Sequence, residues 1–434
     1  MKSRRSEGDD AALAHDSAAR PALIAAMLAL TLLTSACTQL VADRTQSQAM
    51  TRALSRGYAP QEQTETLTRE EAWTLGEESL QVSLTLPVPK ITGAGAAAPG
   101  AAPPGAASHN AAPPRPLVIY LPGLGEAASA GRLWREAWAG AGYVVLSVQP
   151  AKIAQALDRP PSAASVAAQA DDVQSMAHAT FGLESIVRRR ALLGSVLAEA
   201  RRRATHLEQP WADIDFTRIV LAGFELGAQT SLAAAGERID DQPTPALPGL
   251  RGVIALSPHV DIARGSVRQR FAAIGVPVLA ITGTEDSDPF GIINAASVRR
   301  AVWLGMPAGD KYLLITNGGN HALIAGNGLR NPPPPPWLKL ERRMDGTLVD
   351  DASGRGQGRR GGMGPSMIGT GRIAAGDNAD LIANRPFDGR HLAAILSVSR
   401  AFLDLTLRED GIAREWLTRD ARRWLGDAAQ LEAK

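Results

Sequence analysis

This chain has little cysteine and a small net charge. Its 434 residues contain one cysteine, Cys37, so no disulfide can form within the chain. Lys and Arg number 46 and Asp and Glu 44, which gives a formal net charge of +2. So balanced a composition indicates no nucleic-acid partner.

Signatures of metal and nucleotide binding are also missing from the sequence. No two histidines are spaced four apart on a helical segment, as zinc ligands often are. The chain has no phosphate-binding Gly-Lys-Ser/Thr loop, and Gly123-Leu124-Gly125 lacks the third glycine and downstream acid of a dinucleotide site. We therefore expect no metal and no cofactor, and a small molecule as substrate or ligand.

The N-terminal segment is arranged like an export signal. Residues 1–20 are charged and polar, and an apolar run follows at 21–33. That run has the length of a signal-peptide core and is short for a membrane span. The sequence Leu33-Thr34-Ser35-Ala36-Cys37 then resembles a bacterial lipoprotein signal, although Thr34 stands where that motif usually has an aliphatic residue.

The lipoprotein resemblance implies lipidation of Cys37 and attachment of the chain to a membrane through this N-terminal anchor. Thr38, rather than aspartate, after the cysteine favours the outer membrane of a bacterial envelope, with the body facing the periplasm. An ordinary secretory signal, giving a secreted or periplasmic protein, and an uncleaved anchor are the alternatives. The signal region is thus 1–37 and a tether spans 38–75, with 46–56 as tether or a short helix.

Apolar runs separated by helical segments predict an α/β fold. Residues 80–87 alternate apolar and polar side chains, which is typical of a half-buried strand. Buried strands are predicted at 117–121, 143–148, 218–224, 252–257, 276–283 and, as the last, 312–315. Strands that alternate with helices call for a mostly parallel sheet with helices on both faces.

Two segments of biased composition interrupt this core, which we place at 76–330. Residues 91–116 are almost wholly Ala, Gly and Pro, which predicts a disordered loop. Residues 331–376 form a Pro/Gly-rich insertion that we expect to be irregular. Residues 151–210 predict helices beside the sheet or a small cap, and 377–434 predict C-terminal helices that end with Trp416 and Trp424.

The pentapeptide Gly223-Phe224-Glu225-Leu226-Gly227 lies between a predicted strand and a predicted helix. Glycines two residues before and two after the central residue allow the sharp turn of a nucleophile elbow, which holds the central side chain above the sheet. That central residue is Glu225, in a position where serine is usual. Ser231, within the following helix, and Ser257, in a Ser-Pro turn, are poorer nucleophile candidates because neither lies on such a turn.

An elbow of this kind needs an acid and a histidine later in the chain, and backbone donors for an oxyanion. Asp286 is the first candidate for the acid and Asp288 the second, unless both only cap a turn. His321 follows the last predicted strand and is the candidate histidine. Leu226 and Leu124 are the candidate oxyanion donors through their backbone N–H groups. The histidines in helical segments and at 259 are expected to be structural or at the surface.

With these elements in order, the chain resembles the α/β-hydrolase superfamily, and most of all its dienelactone-hydrolase and chlorophyllase-like branch, over roughly 75–410. The resemblance implies a hydrolase acting on an ester-like or other small electrophilic substrate. Glu225 departs from the family pattern and leaves three interpretations open. In the first, Glu225 is a nucleophile that forms an ester. In the second, it is a general base or an electrostatic partner of His321. In the third, it is an inactivating substitution, and the protein has a binding or scaffold role.

Overall fold

The computed structural model describes residues 44–88, 113–158, 166–239, 245–293, 295–333, 340–342, 347–350, 375–376 and 385–434. The predicted signal region with Cys37, and residues 91–112 of the Ala/Gly/Pro-rich segment at 91–116, lie outside these residues. Within the described part of the chain, no helix has the length and apolar character needed to cross a bilayer.

A nine-stranded sheet organises the molecule, in the order β1-β2-β4-β3-β5-β6-β7-β8-β12. Six neighbouring strands are parallel and carry the centre of the sheet: β4 (Val144–Pro150), β3 (Arg115–Leu121), β5 (Ile214–Phe224), β6 (Leu250–Leu256), β7 (Val278–Glu285) and β8 (Lys311–Asn320). β1 (Glu65–Leu75) and β2 (Glu78–Val88) join one edge, and β12 (Ala429–Ala433) the other, all in antiparallel pairs. The predicted α/β class and mostly parallel sheet are confirmed.

Helices cover both faces of the sheet because successive strand side chains point to opposite faces. One face packs against α2 (Arg132–Gly140) and α10 (Gly389–Leu407), with Trp134, Trp138 and Phe402 fully buried. The other packs against α5 (Leu183–Thr205), α6 (Leu226–Ala234), α7 (Val267–Phe271) and α8 (Ala301–Gly305). The remaining helices are α1 (44–54), α3 (Ala151–Ala154), α4 (Val166–Phe181), α9 (His321–Ala325), α11 (Gly411–Glu415) and α12 (Ala421–Leu425).

The structure differs from the sequence-based expectation at both edges of the sheet. Residues 65–75, expected within the tether, form β1, an edge strand whose side chains are mostly exposed, so its sequence lacks a buried-strand pattern. Residues 429–433, expected within the C-terminal helices at 377–434, instead form β12 and pair with β8. The strand at 312–315 is therefore not the last.

The expected insertion at 331–376 contains regular structure where it is described. Three short strands, β9 (Leu340–Arg342), β10 (Thr347–Asp350) and β11 (Ala375–Gly376), form a separate antiparallel sheet. Strands this short carry too few residues for a period to be read from the sequence.

Candidate active site

The turn between β5 and α6 places Glu225 at the carboxyl edge of the sheet. Its backbone has φ 51° and ψ −100°, which is rare for a residue with a side chain. Its N–H donates to the carbonyl of Leu256 on β6, at 2.8 Å. A β-carbon at Gly227 would lie 1.8 Å from the carbonyl oxygen of Leu121, and one at Gly223 would lie 2.2 Å from the carbonyl carbon of Gly227. Only glycine fits at these two positions.

The carboxylate of Glu225 is buried and its two oxygens are treated differently. Oε2 accepts a hydrogen bond from the N–H of Leu124, at 3.1 Å. Oε1 lies 3.5 Å from Nε2 of His321 and has no hydrogen-bond partner among the described residues. Oε2 is therefore held by the loop after β3, and Oε1 faces the histidine without a hydrogen bond from any described residue.

His321 and Asp286 are brought together by the ends of β8 and β7. Nδ1 of His321 lies 2.7 Å from Oδ1 of Asp286, which fixes the ring so that Nε2 faces Glu225. Asn320 caps the first turn of α9 by accepting from the N–H of Leu323, which places His321 at the first position of the helix. The Glu225–His321–Asp286 series predicted from the sequence is thus assembled in space.

Asp286 is surrounded by donors in a fully buried position. Oδ2 accepts hydrogen bonds from Ser257 Oγ at 2.7 Å and Thr282 Oγ1 at 2.8 Å, and lies 3.1 Å from Nε of Arg299. Burial raises the pKa of Asp286, but the charge of Arg299 and the hydrogen bond with His321 outweigh it and hold the pKa below its usual value. The carboxylate is therefore ionised and aimed at the imidazole.

The same neighbours decide the protonation of His321. Burial lowers the pKa of the imidazole, but the hydrogen bond with Asp286 and the Glu225 carboxylate, whose Oε1 lies 3.5 Å from Nε2, outweigh burial and raise the pKa to about 9. His321 is therefore an imidazolium at neutral pH, placed between two carboxylates.

Asp288, the second candidate acid, does not contact His321. Its carboxylate accepts hydrogen bonds from the backbone N–H groups of Phe290, at 2.8 Å, and of Ile292 and Ile293. It caps the loop after β7, so the structure brings Asp286 rather than Asp288 to the histidine. The two serines are also engaged elsewhere: Ser257 donates to Asp286, and Ser231 donates to the carbonyl of Gly227 within α6.

The predicted oxyanion donors lie on either side of Glu225. Leu226 is the first residue of α6, where helix N–H groups lack intrahelical partners, and the N–H of Leu124 contacts the Glu225 carboxylate itself. Both side chains belong to a buried apolar cluster at this edge of the sheet. We call it the edge cluster; its buried members are Leu124, Ala177, Phe181, Leu226 and Phe290.

Two residues near the site were not among those predicted. Arg299 is fully buried, and nothing in its sequence context distinguishes it from the other arginines of the chain. Glu126 lies two residues after Leu124 in the loop that follows β3, and its Oε2 accepts from the N–H of Gly123 at 2.8 Å. The sequence feature that points to Glu126 is its position close to Leu124, which is itself predicted as a backbone donor.

His259 is the second histidine at this edge of the sheet. It is buried with its ring centroid 4.4 Å from that of Phe181, in the edge cluster. Burial and the nearby arginines lower its pKa to about 3, so the ring stays neutral. Of the two expected alternatives, a structural residue and a surface residue, the buried packing of His259 agrees with the first.

No protein-family model matches the chain, and no curated protein matches it significantly. Among the described residues, no group of three or more His, Cys, Asp or Glu side chains is arranged to hold a metal ion. The class of the molecule is therefore defined by its own structure: an α/β protein with an acid–histidine–acid site on the strand ends of a mostly parallel sheet.

Proposed function

We propose that the protein is a hydrolase of the α/β-hydrolase fold in which Glu225 is a covalent nucleophile. The observation that carries the proposal is that the two oxygens of the Glu225 carboxylate have different surroundings. Oε2 accepts from the N–H of Leu124, while the buried Oε1 makes no hydrogen bond within the described residues. A carboxylate held by one oxygen leaves the other available for attack.

The fold assignment is supported by where the site residues fall in the chain. Glu225, Asp286 and His321 follow β5, β7 and β8 in that order, on one edge of the sheet. The order nucleophile, acid, histidine and a strand–turn–helix elbow with positive φ are typical of α/β hydrolases. The donor from the loop after β3 also occurs in this fold at that place.

The first step makes an ester. Oε1 attacks an electrophilic carbon, a new C–O bond forms, and the leaving group departs with the electron pair of its bond. Attack on a saturated carbon, as in an epoxide or alkyl halide, gives an ester. Attack on an ester carbonyl would give an anhydride, a much less stable product. We therefore favour a small substrate with an electrophilic saturated carbon.

The second step hydrolyses that ester. Esterification removes the Glu225 carboxylate, which is one of the causes that raise the pKa of His321, and so lowers that pKa toward the range in which the imidazole gives up its proton and acts as a base. Neutral His321, oriented by Asp286, then takes a proton from water, and the hydroxide attacks Cδ of Glu225. The charge on Oε2 is stabilised by the N–H of Leu124, and the product alcohol leaves with the carboxylate restored.

The test is a single turnover in heavy-oxygen water, with an epoxide and alkyl-halide panel and peptide mass spectrometry. Water attacks Cδ, so the label should enter the Glu225 carboxylate. His321→Gln should accumulate the glutamyl ester because hydrolysis lacks its base, whereas the control His206→Gln, at the exposed end of α5, should turn over like the parent. Turnover without label in Glu225 would eliminate the covalent mechanism.

A second function is an inactive binding or scaffold protein. It is supported by the amides of Gly123 and Leu124, which are both taken by carboxylates of the chain itself, Glu126 and Glu225. Complete inertness of the parent and of His321→Gln on the panel, without ester formation, would favour this function.

For either function we propose attachment to the bacterial envelope through lipidated Cys37. Labelling with a fatty-acid analogue, compared between the parent and Cys37→Ala, would test it.

A further inference from the structure

Two consecutive amides of the loop after β3 bind two carboxylates. The N–H of Gly123 donates to Oε2 of Glu126 at 2.8 Å, and the N–H of Leu124 donates to Oε2 of Glu225 at 3.1 Å. A β-carbon at Gly123 would lie 3.2 Å from the first of these oxygens and 3.1 Å from the second. The carboxyl groups of Glu126 and Glu225 therefore border the same side of one glycine.

The second oxygen of Glu126 is held just as specifically. Oε1 accepts from Nδ2 of Asn327 at 2.6 Å. The amide of Asn327 is itself oriented, because its Oδ1 accepts from the N–H of Gly131 at 2.6 Å. Glu126 is thus fixed by two donors that carry no net charge, and no Lys or Arg pairs with it within the part of the chain that the structure describes.

The titratable groups that face Glu126 are Glu225, His321 and Tyr120. Burial raises the pKa of Glu126 to about 7, and the charge of Glu225 adds to the rise, against the hydrogen bonds from Gly123 and Asn327 and the charge of His321. A carboxyl group of this kind exchanges a proton near neutral pH, which suits general acid catalysis.

We propose that Glu126 is the general acid that protonates the leaving oxygen when Glu225 opens a carbon–oxygen bond. This rests on the proposed function. An in-line displacement sends the leaving oxygen away from the attacking Oε1, and so away from His321, whose Nε2 lies 3.5 Å from that oxygen. The proton for the leaving oxygen then comes from a group other than His321, and Glu126 is a titratable acid on the Oε2 side of the Glu225 carboxylate, whereas His321 lies on the Oε1 side.

The protons balance over one cycle. Oε1 of Glu225 bonds to the substrate carbon, the substrate C–O bond breaks, and its oxygen takes the proton of Glu126. His321, with its pKa lowered by loss of the Glu225 charge, returns a proton to the Glu126 carboxylate through solvent. Neutral His321 then takes a proton from the hydrolytic water, and ester cleavage restores the starting state.

Two probes with one carbon skeleton separate this role from the chemistry of Glu225. Styrene oxide needs a proton on its leaving oxygen, whereas phenethyl bromide releases bromide, which needs none. Both are used with His321→Gln, in which the ester on Glu225 accumulates and is measured by mass spectrometry against time. Glu126→Gln is added to this background, with Glu285→Gln as control, because Glu285 is an exposed glutamate at the same edge of the sheet.

We expect Glu126→Gln to slow esterification by styrene oxide about 100-fold and to leave esterification by phenethyl bromide unchanged. The rate with styrene oxide should fall with rising pH when Glu126 is present, with a midpoint above about 7 because this background lacks the His321 charge that lowers the pKa of Glu126, and should not fall when residue 126 is glutamine. Glu126→Asp, which keeps an acid, should keep that fall.

Equal slowing with both probes would show that Glu126 only supports the site structurally, and equal rates with and without Glu126 would show that it is not the acid. Either result overturns the proposal. If neither probe forms an ester on Glu225 while Glu126 is intact, the proposed function itself is wrong, and the role of Glu126 falls with it. This outcome differs from the two above, in which the ester still forms.

Discussion

Arg299 and Asp286 form an ion pair in which neither side chain is exposed to solvent, with Nε 3.1 Å from Oδ2. Arg299 also donates to the carbonyl oxygens of Asp286 and Ser257, so it links the ends of β6 and β7. The orientation of His321 therefore depends on a residue that does not act on substrate.

Removing Arg299 should destabilise the fold and disorder the site. Arg299→Met fills a similar volume but leaves the buried Asp286 carboxylate without its cation. We expect a loss of about 3–5 kcal/mol in the free energy of unfolding. Urea denaturation followed by circular dichroism measures it, with Arg56→Met in the exposed turn after α1 as control. A loss no larger than that of the control would mean that the ion pair contributes little.

The stability of the fold should decrease at alkaline pH because of His321. The folded-state pKa, about 9, lies above the ordinary value of 6.5, so protonation stabilises the folded state. This contribution is complete below pH 6.5 and is lost as the pH rises to about 9. It is worth about 3 kcal/mol.

The measurement is the free energy of unfolding of the parent and of His321→Gln at several pH values across this range. The difference between the two proteins should shrink as the pH rises. A difference that stays constant would mean that the pKa of His321 is not raised in the folded state.

The elbow glycines should not tolerate a methyl group. In Gly227→Ala the new carbon would meet backbone atoms of Leu121, which cannot move without displacing β3. We expect a loss of about 3 kcal/mol or more, or no folded protein. Gly194→Ala, in the middle of α5, is the matched control: no atom of the described residues lies within 4 Å of its new carbon, so a gain of about 0.5–1 kcal/mol is expected. Thermal denaturation distinguishes the two.

Glu225→Ser should produce an esterase. The shorter side chain frees the N–H of Leu124 for a substrate oxygen, and loss of the Glu225 carboxylate lowers the pKa of His321 toward the range of a general base. Release of nitrophenol from nitrophenyl acetate measures the gain. The same variant with His321→Gln should be inactive, and activity that persists in the double variant would place the hydrolysis outside this site.

The sequence predicted the features that depend on local pattern. The apolar runs gave the central strands, and Gly223 and Gly227 predicted a turn that only glycine can form. Asp286 and His321 follow buried strands at the positions that a parallel sheet brings to one edge. Their chemical roles are predictions that the labelling experiment tests.

Other features depend on contacts that no local pattern encodes. Asp286 and Asp288 are two residues apart, and their separation into an imidazole partner and a loop cap depends on where the chain turns after β7. The pKa of Glu126 depends on burial beneath groups from distant parts of the chain, among them Asn327. β1 was missed because it contacts the sheet along one edge only, so few of its side chains needed to be apolar.

The backbone of the β5–α6 turn is set by the two elbow glycines and by the hydrogen bond from the N–H of residue 225 to Leu256. None of these interactions involves the side chain of residue 225. A substitution of residue 225 can therefore change the chemistry of the site without changing the backbone that forms the turn. Selection can act on the chemistry and on the scaffold of this protein as separate traits.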